Sequence, residues 1–481
     1  MTRVGFILSV AAGATILLPM QLPAAKETPL GEVTFSRDIA PILQRSCQNC
    51  HQPNSVAPMS LITYKDVRPW ARAMKARTAM RDKAGVMPPW YVEKNIGIQH
   101  FKNDPSLSDL EIAKIAKWAD NGAPEGNPAD LPSAKPIDEA GKWNLGKPDL
   151  IVSTPEITMK AGVPDYWGEL QSAPTGLTED RWVKSVEIIE SNDVDGDGAR
   201  KTVGSRYVFH HMIWTAAVPG KETTEDFVGG GESGTWPVHE VGRNADVFPD
   251  NAGKLLKANS NLLFFSAHLH SNGRETKAKL LYGFRFLPKD YKPTVRYARR
   301  ALGNGVDFDI RAGEANQRMD AYQVLEENTK ITSYEPHMHA PGVRMCLEAI
   351  WGANVQTLSC TGYDHNWVRV YEFEDEHAPL LPKGTILHII GYFDQSANNK
   401  NVPDPRNWSG SGNRSISNMF IDLGQGIALT DEQFQAEMNQ RREKLKLSKN
   451  DVVIGCPLCN GDPILRQDTT RRTEALTPTV Q

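Results

Sequence analysis

The sequence predicts a multidomain protein in which one small all-α domain precedes two all-β sandwich domains. Three observations predict it. Helix signals and 3.6-residue apolar spacing gather in residues 28–126. From Asp149 onward, short runs rich in β-branched and aromatic residues are separated by turn residues. The chain has 481 residues, too many for one ordinary core and suggestive of about three domains. Residues 149–465 also exceed what one sandwich usually holds, so a boundary is expected near residue 290.

Residues 1–25 read as an export signal. Arg3 supplies the positive charge, Val4 to Met20 is apolar and uncharged, and Pro23-Ala24-Ala25 supplies small residues for cleavage. The apolar run is slightly short for a spanning helix, and an uncleaved anchor is the alternative. No later segment reaches spanning length. The expected location is therefore periplasmic or secreted, with no membrane span after signal cleavage. A formal net charge of −4 gives no reason to expect a nucleic-acid partner.

The helical domain is expected to span residues 28–126. Ser36 precedes a run that places Ile39, Ile42 and Leu43 on one face, and Ser108-Asp109-Leu110-Glu111 is a capping box. That box opens a helix carrying Ile112, Ile115 and Trp118, stopped by Gly122 and Pro124. Between the two lies Cys47-Gln48-Asn49-Cys50-His51. A C-x-x-C-H run is the attachment signature of a c-type haem. The two thiols bond to the two vinyl groups, and the histidine becomes an axial ligand. A zinc knuckle, or a disulfide that happens to precede a histidine, is the plainer alternative. A leading helix and a closing helix around such a pentad are what a class I cytochrome c needs. The second axial ligand should come from Met59, Met74, Met80 or Met87. Met87 is preferred, because Pro88 and Pro89 stiffen its loop and Trp90 is placed to wall the haem edge.

Residues 127–148, rich in Pro, Ala, Gly and Lys, read as a linker. Residues 149–290 and 291–465 are expected to be the two sandwiches, with strands near Trp182–Ile188, Tyr207–Ala216, Leu262–His268, Ala278–Phe286 and Ile386–Phe393, and residues 466–481 a tail. The six cysteines form three local pairs. Cys346 and Cys360 flank the turn at Gly352-Ala353-Asn354 and are expected to form a cross-hairpin disulfide. Cys456 and Cys459 are followed by Asn460 rather than histidine, so a small-loop disulfide is expected there.

Of the twelve histidines, His210-His211 lies in one strand-like run and His268 ends another. His337-Met338-His339 has the i, i+2 spacing that sets both imidazoles on one strand face. Met419, in the apolar stretch Ile416–Leu423, would supply a third ligand to that pair. Imidazole with thioether favours copper, since the soft sulfur stabilises Cu(I). Spacing alone leaves the other reading open, in which strand histidines are satisfied structural residues. His100, His239, His365, His377 and His388 show no spacing logic and read as structural or surface residues.

Thr175 to Trp182 followed by Val208-Phe209-His210-His211-Met212-Ile213 resembles the first half of the copper type II, ascorbate-dependent monooxygenases. That family includes peptidylglycine- and dopamine-hydroxylating enzymes. Glu335-Pro336-His337-Met338-His339-Ala340-Pro341-Gly342 resembles its H-x-H motif, and Gly391 to Asn399 with Met419 resembles the later part of its second half. The match covers roughly residues 150–430, and bacterial members with an N-terminal haem domain are similar to the whole chain. The resemblance implies two jelly-roll sandwiches facing each other across a solvent-filled gap. It implies one copper on His210, His211 and His268 that stores electrons, and one on His337, His339 and Met419 that binds dioxygen. His270 competes with His268 as third ligand. The implied activity hydroxylates a C–H bond of a small organic substrate with O2. Electrons would come from an ascorbate-like reductant or a periplasmic redox protein, entering through the haem.

Where the amidating enzymes carry an arginine for the peptide carboxylate this chain has Glu335, and Ile421 and Leu423 replace their asparagine and tyrosine. The expected substrate is therefore uncharged or cationic and more apolar. A non-catalytic electron-transfer or copper-binding protein on the same scaffold is the alternative, and reduction of a nitrogen oxide a third reading. Asp193 to Gly198 opens like a calcium loop, but Gly204 stands where a bidentate glutamate is wanted, so a polar turn is expected. Gly229 to Gly231 reads as a flexible turn.

Overall fold

A computed structural model describes residues 31–53, 57, 59–134, 143–194, 207–220, 236–241, 243, 245–249, 251–299, 302–303, 305, 308–412, 417–448 and 451–459. The signal segment, the end of the calcium-like run from Asp195, the Gly229 to Gly231 turn, Ile416, much of the linker and the tail lie outside the described residues. The chain is mostly β-sheet, 35% strand against 15% helix, consistent with β-sandwich domains. Among the described residues no helix is long and apolar enough to cross a membrane.

The N-terminal region holds a π-turn (Phe35–Ile39) leading into α1 (Ala40–Ser46), α2 (Tyr64–Val67), α3 (Ala71–Thr78) and α4 (Asp109–Asp120). Ile39, Ile42 and Leu43 are buried against Ile115 and Trp118, as the spacing predicts. The box at Ser108 forms as expected, its hydroxyl accepting from Glu111 N–H while Glu111 reaches back to Ser108 N–H. Gly122, at φ +82°, lets the chain reverse after α4. Residues 79–107 depart from the mostly helical expectation. They form turns and irregular segments, pair through isolated bridges Val92–Thr361 and Phe101–Phe373, and bury Trp90, Val92, Ile98 and Phe101 in the core of the second β region. No local periodicity announces this, because the partners lie more than 250 residues away in sequence.

The first β region comprises β1 (Leu150–Ser153), β2 (Ile157–Met159), β3 (Tyr166–Pro174), β4 (Arg181–Asn192), β5 (Phe209–Ala217), β6 (His239–Glu240), β7 (Ala245–Val247), β8 (Lys254–Leu256), β9 (Asn261–Leu269) and β10 (Thr276–Phe286). One sheet runs β1-β10-β4-β7, with β2 on β10 and β8 on β4; the other runs β3-β9-β5-β6. Alternate residues of β10 (Ala278, Leu280, Tyr282, Phe284) point inward and meet Trp214, Leu262 and Phe264 of the second sheet. Each large apolar side chain so buried contributes about 1.5–3 kcal/mol.

The second β region comprises β11 (Arg296–Arg299), β12 (Leu302–Gly303), β13 (Gln317–Val324), β14 (Asn328–Ile331), β15 (Ser333–Tyr334), β16 (Pro336–Met338), β17 (Gly342–Trp351), β18 (Asn354–Gly362), β19 (Tyr371–Glu372), β20 (Leu380–Leu381), β21 (Ile386–Phe393), β22 (Phe420–Asp422) and β23 (Gln425–Leu429). Its largest sheets run β13-β21-β17-β18 and β11-β23-β14-β20, with β12-β22-β16 carrying the H-x-H motif. Both expected disulfides form. Cys346 and Cys360 face each other across β17 and β18, and Cys456 pairs with Cys459. The latter packs beneath α5 (Asp431–Lys444; labelled in chain order), against Phe434 and Met438.

Candidate functional site: an imidazole cluster between the two β regions

His210 and His211 are neighbours in β5, and a regular strand would point them to opposite faces. The ladder to β9 slips between Phe209 and His211, so that Phe209 pairs with Leu269 and His211 with His268. His210 is the extra residue of this bulge, which re-aims its side chain. As a result His210 and His211 both approach His268, at ring-centroid distances of 4.7 and 5.7 Å. His268 stacks on Trp167 at 3.6 Å and turns Nε2 to Asp165 at 2.7 Å, which leaves its buried Nδ1 without a hydrogen-bond partner. His270 lies farther from His210, at 5.7 Å, and its buried Nε2 is likewise unpartnered.

The second group follows from the β16–β22 register, in which His337 pairs with Ile421 and Met338 with Phe420. Continued one residue, that register sets Met419 opposite His339, on the face the two histidines share. Their rings stand 5.6 Å apart. His339 Nδ1 donates to the Ser417 carbonyl at 3.0 Å, which fixes the tautomer and leaves Nε2 as the free donor atom. Met419 is half-buried.

The two groups are not separated by an open gap. His365 lies 5.4 Å from His210 and 6.0 Å from His339 by ring centroid. His210, His211, Glu240, His337, His339, Tyr363 and His365 wall one small cavity of about 30 Å³. Glu240 of β6 reaches across to His337 Nδ1 at 2.8 Å. Beside it Arg243 bridges Asp246 in the first β region and Glu335 in the second, with all three side chains buried. Glu335 thus serves this clamp and is not offered to a cationic substrate. That removes the basis for the cationic half of the substrate expectation.

Burial dominates the electrostatics. It pushes His211 down to about 3 and His365 to about 4, and holds His210 and His339 well below the ordinary histidine range, with neighbouring imidazoles adding to the effect. Neutral imidazole is the form that ligates a metal. Burial alone would raise the Glu240 carboxyl, but His337, Arg243 and His211 hold it at about 2. The cluster therefore combines neutral nitrogen donors with one buried carboxylate, a set suited to a transition-metal ion.

In the pentad, Cys47 and Cys50 are not joined by a disulfide, unlike the other two cysteine pairs. One turn links them, with Cys50 N–H and His51 N–H both donating to the Cys47 carbonyl. Burial, then the neighbouring Cys50, pushes the Cys47 thiol up to about 12. His51 Nδ1 donates to the Met59 carbonyl at 3.2 Å, so Nε2 is again the free nitrogen. Met74 is buried in the helical core as a filler. Met87 and Trp90 instead line a cavity of about 1090 Å³ that also meets Arg45, Thr78, Leu107 and Ile112. Two thiols and a free imidazole nitrogen are the donor set a covalent haem uses, but the cavity that Met87 lines includes neither cysteine nor His51.

His365 and Glu240 are the site residues the sequence reading misses. Neither has a partner at i+2 or i+4, and only the fold brings them in. His388 reads correctly as structural, since both its ring nitrogens face carboxylates, Glu348 at 2.9 Å and Asp320 at 2.7 Å. His100 and His377 stack at 3.6 Å. With Glu374 they form a largely exposed trio whose donor atoms lie within 4.8 Å of one another.

No family model matches the chain, and no curated protein matches it. Among solved structures it is similar to a chain of the cowpea mosaic virus top component, a naturally occurring empty particle, at 9% identity over 61% of this chain and 94% of that one, with a TM-score of 0.27. A chain of infectious bursal disease virus Gx strain gives 9% identity over 58% and 69%, with a TM-score of 0.14. At these TM-scores the likeness carries no argument.

Proposed function

We propose that the protein is an exported haem c–copper monooxygenase that hydroxylates a C–H bond of a small, uncharged organic substrate. The observation that carries this reading is the convergence of His210 and His211, with His268 packed against both, and of His337 and His339 around one small cavity. In this reading residues 28–126 are a class I cytochrome c domain and the two β regions are jelly-roll sandwiches. Cys47, Cys50, His51 and Met87 would hold the haem; His210, His211 and His268 would hold one copper, and His337, His339 and Met419 the other. Bound copper would supply dioxygen binding and one-electron chemistry at neutral pH. The balance is R–H + O2 + two electrons + two protons → R–OH + H2O, with an external reductant delivering electrons through the haem.

The chain's own residues do the rest. Ser417 and Asp165 orient two of the imidazoles, and burial keeps them neutral. The Arg243–Glu335 bridge holds the two halves of the site together and excludes water. A cavity of about 30 Å³ has room for an ion or a diatomic molecule but not for an organic substrate. The same small cavity favours the second reading, a haem/copper electron-transfer protein with no organic substrate. An oxygen-uptake screen with a reductant and panels of apolar substrates separates the two. Substrate-dependent uptake with a hydroxylated product supports the monooxygenase, and copper that cycles without uptake supports the carrier.

A further inference from the structure

Residues 362–369 join the helical region to the imidazole cluster, and every step of the junction is specific. Gly362 N–H donates to the Tyr91 carbonyl at 2.9 Å. A Cβ on Gly362 would stand 1.9 Å from the Asp82 carbonyl oxygen, so the approach requires glycine. The Tyr363 hydroxyl donates to the carbonyl of Met338, the residue between His337 and His339. Asp364 accepts from Gly85 N–H at 3.0 Å, two residues before Met87. The Arg369 guanidinium sits 5.6 Å from the Trp90 ring. Between these anchors His365 points into the cavity, and its Nδ1 is buried without a hydrogen-bond partner.

A buried polar atom left unpaired costs about 1–3 kcal/mol, and such a group calls for a ligand. Among the described residues no hydroxyl, carboxylate or carbonyl meets His365 Nδ1, while imidazoles of both groups flank its ring. We infer that His365 is a further metal ligand, placed between the two histidine groups in one centre that holds both coppers. The inference rests on the reading that these histidines bind copper. It goes beyond that reading in assigning a ligand that belongs to neither triad. It also places the cluster's ligand next to Asp364, which grips the loop bearing Met87. The Met87 loop and the cluster are thus tied together through Asp364 and its neighbour His365.

The test uses the full-length protein in a His377→Ala background, so that the surface trio takes no copper. His365→Gln and His365→Ala are compared with the parent by competitive chelator titration and Cu(II) EPR, with thermal midpoint and haem spectrum as folding checks. If His365 is a ligand, one copper binds at least about tenfold more weakly in both variants. Its nitrogen hyperfine pattern changes, and added imidazole restores the pattern in His365→Ala. Should His365→Ala not fold, His365→Gln carries the affinity and EPR result. Two coppers bound with unchanged affinity and spectra in a folded variant overturn the inference and leave the proposed function standing. A parent protein that binds no copper overturns both.

Discussion

Removing the cation of the inter-region clamp should cost the protein more than any single surface change. Arg243 is 5% exposed, Asp246 9% and Glu335 0% by side chain. Arg243→Met therefore leaves two buried carboxylates without their counter-ion. Breaking a buried ion pair in this way costs about 3–5 kcal/mol. For a domain of this size about 2–4 °C of melting temperature is lost per kcal/mol, giving a drop of about 6–20 °C. Because the bridge spans the two β regions, calorimetry should also show one cooperative transition resolving into two. The triple variant Arg243→Met, Asp246→Leu, Glu335→Leu should recover most of the loss, since apolar replacement of a whole buried triad is often neutral or stabilising. A single variant within about 1 kcal/mol of the parent would refute the reasoning, because that is the range of an exposed pair.

Met419→Leu should abolish product formation while leaving haem reduction by the external donor unchanged, as stopped-flow absorbance would show. The double change of Cys47 and Cys50 to serine should remove covalent haem, so that acid-acetone extraction strips all pigment, while the copper content stays at the parental level. In chelator-treated protein His211 is held at about 3 and His239 and His365 at about 4, chiefly by burial. The unfolded chain then binds protons the folded state refuses between about pH 3 and 6.5. Stability should therefore be full above that window and fall as pH drops through it, and urea midpoints at pH 7, 6 and 5 would measure the fall.

Much of the fold is legible because local patterns and tertiary contacts agree. The strands at β4, β5, β9, β10 and β21 sit where β-branched and aromatic runs put them, and the capping box at Ser108 forms. Both disulfides join cysteines close in sequence. The irregular path of residues 79–107 is not legible, since it is determined by contacts with β18 and β19. At the site, the i, i+2 spacing places His337 and His339 on one face. The paired His210-His211 is ambiguous in sequence because only a bulge, a property of the β5–β9 ladder, aims both inward. His365 and Glu240 leave no sequence signal, and Glu335 misleads, since its partner Arg243 comes from the other β region.

If haem and copper act together on dioxygen, cofactor content and oxygen uptake must go together in one sample. Metal and haem are quantified on purified full-length protein, in the His377→Ala background, and the same sample is then given reductant in an oxygen electrode. One covalent haem, two coppers, and oxygen uptake that rises with substrate and vanishes when copper is chelated are expected. One copper or none, or no uptake with any reductant, would contradict the proposed function.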